Sequence, residues 1–228
     1  MKNWILVLIL FIGFIGYAQS NDNVDLYASY REDQFYASVT YNLLNDKLEG
    51  VSQNGFSSGI HFGFIRDMPV NDRRNLAIGI GVGISSNSYN QNVSILETNN
   101  NITYNIIDED EVNVSKNKFT TYLVEVPFEF RWRTSTSTDY NFWRIYTGFK
   151  LGYLLYNSSK YKSDNGNQNL SNIDNFNNIQ YGITLSAGYG TWNFHAYYGL
   201  NPIFNNVKLS ERTLDISSFK IGLMFYIL

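Results

Sequence analysis

Between residues 178 and 190 the chain alternates without a break. Ile179, Tyr181, Ile183, Leu185, Ala187 and Tyr189 fall on one parity, and Asn178, Gln180, Gly182, Thr184, Ser186 and Gly188 on the other. Residues 218–228 repeat the pattern, with Phe219, Ile221, Leu223, Phe225 and Ile227 opposing Ser218, Lys220, Gly222, Met224 and Tyr226. A period of two marks a β-strand with two different faces. The same reading predicts strands over residues 34–44, 56–67, 75–87, 121–133, 143–156 and 192–201, which makes eight. An even number allows a closed up-and-down barrel. The connections alternate in length: 45–55 is moderate, 68–74 short, 88–120 long, 134–142 short, 157–177 long, Thr191 minimal and 202–217 long. Outer-membrane barrels have this asymmetry, with short turns toward the periplasm and long loops outside.

The faces indicate which solvent each meets. In a soluble barrel or sandwich the polar parity would face water and be rich in Lys and Glu. The third strand instead offers Asn75, Ala77, Gly79, Gly81, Gly83, Ser85 and Asn87, which suits an eight-stranded lumen just wide enough to be filled by side chains. On the apolar parity, Trp132, Trp143 and Trp192 lie beside short connections, and Tyr41, Tyr122, Tyr153, Tyr181 and Tyr198 lie nearer the long ones. These read as two aromatic girdles. The ten-residue separations Tyr122 to Trp132 and Trp143 to Tyr153 correspond to about 25 Å for a tilted strand, the height of an outer-membrane apolar band. The expected fold is therefore all-β, an eight-stranded antiparallel up-and-down transmembrane β-barrel in a bacterial outer membrane, with lipid as its first partner.

The amino terminus agrees with export. Met1, Lys2 and Asn3 precede an apolar run of twelve residues from Trp4 to Ile15, and small residues Gly16 and Ala18 precede an expected cleavage after Ala18. This reads as a signal peptide over 1–18, leaving a barrel domain over 19–228, because the run is shorter than the ~20 residues of a spanning helix. Loss of Lys2 would change the formal charge from −3 to −4, so nothing invites nucleic acid. The absence of cysteine removes disulfides, thiolate metal sites and thiol nucleophiles. Charged residues make up only 16% against 17% aromatic, too little charge for a water-facing surface of this size.

Candidate chemistry lies on the polar parity. The fourth strand directs Glu125, Glu129, Arg131 and Arg133 inward, and the fifth directs Arg144 and Lys150 to the same side, where a hairpin could set Glu125 against Lys150. A charge constriction or a catalytic carboxylate pair is one reading. A salt-bridged lumen filling is the preferred one, since buried charge must be paired to be tolerated. His61 and His195 are also inward, yet no local motif places a catalytic Ser or Asp beside them, so no enzymatic activity and no cofactor or metal is expected. The Asp108, Glu109, Asp110, Glu111 run lacks the glycine and spacing of a calcium loop. It and the Asn-rich stretch after Asn157 read as mobile, solvated loops. Lys220, Gly222, Phe225 and Ile227 form a polar-x-Gly-x-x-apolar-x-apolar series. It is similar to the last-strand signal read by barrel-insertion machinery, the partner expected during assembly.

Five segments carry a wider likeness: Asp33-Gln34-Phe35-Tyr36 leading to Thr40-Tyr41-Asn42, Gly50-Val51-Ser52-Gln53, Gly63-Phe64-Ile65-Arg66-Asp67-Met68-Pro69, Val126-Pro127-Phe128-Glu129-Phe130-Arg131-Trp132-Arg133, and Phe142-Trp143-Arg144-Ile145-Tyr146-Thr147-Gly148. On these segments the chain resembles the PorT family of small outer-membrane barrels of Bacteroidota, called SprT in gliding relatives. The resemblance implies a role in type IX protein secretion, with gliding where present, and contact with components of that system. It brings no catalytic residues. The other readings from the residues are a generic barrel acting as adhesin or structural protein through its long loops, and a barrel enzyme acting on lipid or peptide.

Overall fold

The computed structural model describes residues 33–99, 101–108, 112–134, 142–209 and 211–227; the expected leader over 1–18 lies outside them. The strands in chain order are β1 (Gln34–Asn45), β2 (Ser58–Pro69), β3 (Leu76–Asn90), β4 (Val93–Thr98), β5 (Asn101–Ile106), β6 (Val114–Arg133), β7 (Trp143–Ser163), β8 (Gly166–Ser171), β9 (Ile179–Tyr189), β10 (Trp192–Gly199), β11 (Lys208–Leu209), β12 (Arg212–Thr213) and β13 (Ser217–Ile227). Eight of them form a ring in the order β6-β3-β2-β1-β13-β10-β9-β7, and β6 pairs with β7 to close it. All ring pairs are antiparallel, and the first and last strands meet from Phe35↔Ile227 to Asn45↔Ser217. The β3–β6 ladder skips the stretch between Ile80↔Phe128 and Gly83↔Glu125. Pro127 lies there, and it has no N–H to donate.

Parity sorts the side chains as the alternation requires. On β2, β6 and β9 the outward positions are apolar and exposed, among them Phe62, Val126, Phe128, Phe130, Ile183 and Leu185, and Phe194 of β10 is 77% exposed. A continuous apolar belt of this extent demands an apolar medium. Trp132, Trp143 and Trp192 emerge at the short-turn end, and Tyr122, Tyr153, Tyr181 and Tyr198 toward the other, all exposed, with Tyr41 half-buried. Inward positions are buried, and large ones are matched to glycines. A Cβ at Gly63 would stand 2.6 Å from the Tyr36 ring, and one at Gly79 2.7 Å from Arg131 Nε. The glycines of β2 and β3 thus make the space that Tyr36 and Arg131 occupy.

The long connections depart from expectation. Residues 88–120, read as a long connection carrying a mobile acidic run, and 157–177, read as a mobile loop, are largely folded. β6 and β7 continue above the belt, pairing as far as Val114↔Ser163, with bulges between Val114 and Lys116 and between Tyr122 and Leu123. β8 folds back on β7, β4 pairs with β5, and β11 with β12. The reason is a second apolar core outside the belt. Leu44, Val51, Tyr89, Ile95, Phe119, Ile173, Phe176, Phe204, Leu209, Leu214 and Ile216 pack together, drawn from all four long-side connections and their strand ends. Phe119 is central, with ring centroids 4.9 Å from Tyr89, 5.5 Å from Phe176 and 5.3 Å from Phe204. Burying such rings offsets the ordering of the polar chain around them. Among the acidic run, Asp108 is exposed, and Glu109, Asp110 and Glu111 lie outside the described residues.

Candidate functional site

The lumen is filled in layers. At the short-turn end Asp67 accepts from Arg131 Nη1 at 3.0 Å and Arg133 Nη2 at 2.9 Å, while Arg131 Nε donates to Glu129 at 3.0 Å. Asp67 and both arginines have no solvent exposure. Arg133 Nε also donates to the Arg74 carbonyl, and the Asp67 N–H to Asp33 Oδ1. The guanidinium of Arg131 lies 4.5 Å from the Tyr146 ring centroid, and Arg144 lies 4.5 Å from that of Phe142 and 5.5 Å from that of Tyr226. Arg144 makes no ion pair among the described residues; its cation is held against ring faces. Tyr36, Ile65, Tyr146, Met224 and Tyr226 close the packing around this layer.

The middle layer is centred on Glu125. Its carboxylate accepts from Lys150 Nζ at 3.1 Å and stands 3.2 Å from His61 Nδ1, and His61 Nε2 is 3.4 Å from Thr40 Oγ1. In the ladder Glu125 faces Gly152 and Lys150 faces Pro127, so the ion pair is diagonal. Lys220 Nζ lies 4.8 Å from the Tyr197 ring centroid. His195 Nδ1 and Ser186 Oγ are 2.7 Å apart, a pairing across adjacent strands that no local motif announces. His61, His195, Glu125, Lys150 and Lys220 are all buried. Above them Tyr89 OH and Ser218 Oγ are 2.7 Å apart, at the base of the apolar cap.

The six charges anticipated from sequence therefore divide. Glu125 and Lys150 form one pair, Glu129, Arg131 and Arg133 join in the cluster around Asp67, and Arg144 stands among aromatic rings. Asp67 is the residue the sequence reading left out. Its signal was available: it ends the strand predicted over 56–67 and shares the inward parity of His61 on β2. Of the last-strand series, Lys220 is buried, Phe225 packs against Trp192 at 4.9 Å between ring centroids, and Ile227 is exposed. A Cβ on Gly222 would run into the Val39 carbonyl oxygen and lie 2.7 Å from Thr40 Cα. This glycine lets the last strand close against the first.

A ring of eight strands with an apolar belt, two girdles and a charge-filled interior is the architecture of a small outer-membrane barrel. A family model for the outer membrane protein beta-barrel domain matches residues 17–205, and the chain belongs to that family, with the outer membrane as its location. No curated protein matches it. Among solved structures it is similar to Ail, the attachment invasion locus protein of Yersinia pestis, at 12% identity over 86% of this chain and 97% of that one, with a TM-score of 0.31. The complex of that protein with the heparin analogue sucrose octasulfate gives 11% identity, 86% and 99% coverage, and a TM-score of 0.34. A mutant porin of Rh. blastica gives 8% identity, 87% and 100% coverage, and a TM-score of 0.15.

Proposed function

We propose that this outer-membrane barrel is a PorT-like component required for type IX protein secretion, and for gliding in a host that glides, acting as a closed scaffold and not as a conduit. The supporting observation is where four of the resembling segments meet. Asp33, Tyr36, Asp67, Glu129, Arg131, Arg133, Arg144 and Tyr146 come from separate strands or strand ends, and they build one buried ionic and aromatic layer. The sequence likeness thus follows a single three-dimensional feature that fills the lumen at the short-turn end. A plugged barrel serves secretion by holding partners through its periplasmic turns and outer cap. The buried Ser186–His195 and Glu125–His61 pairs serve as lumen packing in this reading.

The test is a deletion strain in the native host. Cargo with the carboxyl-terminal secretion signal should accumulate in the periplasm while other outer-membrane proteins keep their levels. Complementation with His61→Ala or His195→Ala should restore export. Normal cargo export without the gene rejects the secretion role and leaves a surface-binding barrel, for which the folded cap supplies the presenting surface. Failure of a fully abundant histidine variant to restore export would point to chemistry in the lumen.

A further inference from the structure

We infer that the outer face of the β6–β7 extension is a binding site for a phosphate-bearing lipid headgroup of the outer leaflet. Above the belt, β6 and β7 place Lys116 opposite Lys162 and Lys118 opposite Lys160. Directly opposed residues on antiparallel strands share a face, so the four ammonium groups form one ladder. Like charges in such positions repel and destabilise the pairing. None of the four lysines makes an ion pair among the described residues. β7 and β8 contain no carboxylate, and the acidic residues of β6, Glu125 and Glu129, are buried in the lumen. Asp164, in the turn between β7 and β8, is the nearest carboxylate in sequence, so in a chain with a net charge of −3 this concentration of positive charge is local and suits an anion from outside.

The level of the ladder identifies the anion. Tyr122 and Tyr156 pair directly below it, with ring centroids 5.7 Å apart, and girdle tyrosines mark the depth of lipid headgroups. Lys118 lies four residues beyond Tyr122 on the same parity, about 10 Å higher for a tilted strand. A lysine stem reaching back down brings its ammonium to the headgroup layer, as long cationic side chains do at interfaces. Between the tyrosines and the lysines is a recess of about 310 Å³, lined by Lys118, Thr120, Tyr122, Tyr156, Ser158 and Lys160. Two ammonium groups with hydroxyls beside them suit a phosphate monoester, which takes point charges and hydrogen bonds together. The apolar belt below receives the acyl chains, so lipid, and not free phosphate, is the ligand.

Native mass spectrometry of the full refolded protein tests the assignment, with diphosphorylated lipid A and its dephosphorylated form as probes. The wild-type protein should retain the phosphorylated lipid and release the other, a comparison that needs no variant. Lys118→Gln/Lys160→Gln should weaken retention about thirtyfold, the value for two lysines near an anionic surface. Lys47→Gln/Lys208→Gln, which removes exposed lysines elsewhere, should leave retention unchanged. Equal retention of both lipids, or no loss in the Lys118/Lys160 variant, overturns the proposal. Displacement of the lipid by equimolar inorganic phosphate also overturns it, showing a site for the free anion.

Discussion

Replacing Glu125 with glutamine keeps the volume and one acceptor at the centre of the lumen, removes the charge, and exchanges the second acceptor oxygen for an NH2 donor. The carboxylate pairs with Lys150 at 3.1 Å, contacts His61, and is almost fully buried. At an effective dielectric of about 20 this separation corresponds to a Coulomb attraction of about 5 kcal/mol. Loss of one partner from a buried pair costs about 3–5 kcal/mol, chiefly through the charge left behind. Since glutamine still accepts one hydrogen bond, the lower end applies: about 3 kcal/mol, more than a hundredfold in the folding equilibrium. Urea titration of folding into phosphatidylcholine vesicles measures this. Trp132, Trp143 and Trp192 face lipid, so their emission reports insertion, and gel mobility before boiling reports closure. A second substitution, Lys150→Met, should recover at least half the loss, because a neutral pair no longer carries an unbalanced charge. A Glu125→Gln midpoint equal to wild type, or no recovery with Lys150→Met, would refute the claim that this ion pair holds the interior together.

Gly222→Ala should lower the folded fraction in vesicles and in cells, since the new methyl meets the Val39 carbonyl in the closing seam; wild-type yield on the same gel would show that the seam has slack. Phe119→Ala should destabilise the cap by about 3–5 kcal/mol, as for other buried aromatic truncations. Proteolysis of the long-side connections should accelerate while the belt stays inserted, and unchanged cleavage rates would contradict a cap cored on that ring.

The ring was readable because lipid enforces a strict alternation: Ile179 through Tyr189 and Phe219 through Ile227 must face out at every second position. Above the belt that constraint vanishes. Lys116, Asn117 and Lys118 on β6, and Asn157 through Lys160 on β7, are polar on both parities and resemble loops by composition, although they pair in full register. The cap core escaped for a related reason. Phe176 and Phe204 are isolated rings among asparagines, and they become a core only when the barrel brings distant connections together. Asp67 shows the limit for the site. Its arginine partners lie 64 and 66 residues away, so parity could place it in the lumen while only the ring order reveals the pairing.

The cap also separates a finished barrel from an unfinished one. Leu44 comes from the end of β1, Phe119 from β6, Phe176 from the connection after β8, and Leu214 and Ile216 from the approach to β13. No single connection holds enough of this core to fold by itself. The outer surface can therefore acquire its final shape only after the first and last strands have joined and all eight are in register. Presentation at the cell surface is thereby made to depend on completed insertion, and any molecule that recognises the assembled cap reads, from outside the cell, that the seam within the membrane has closed.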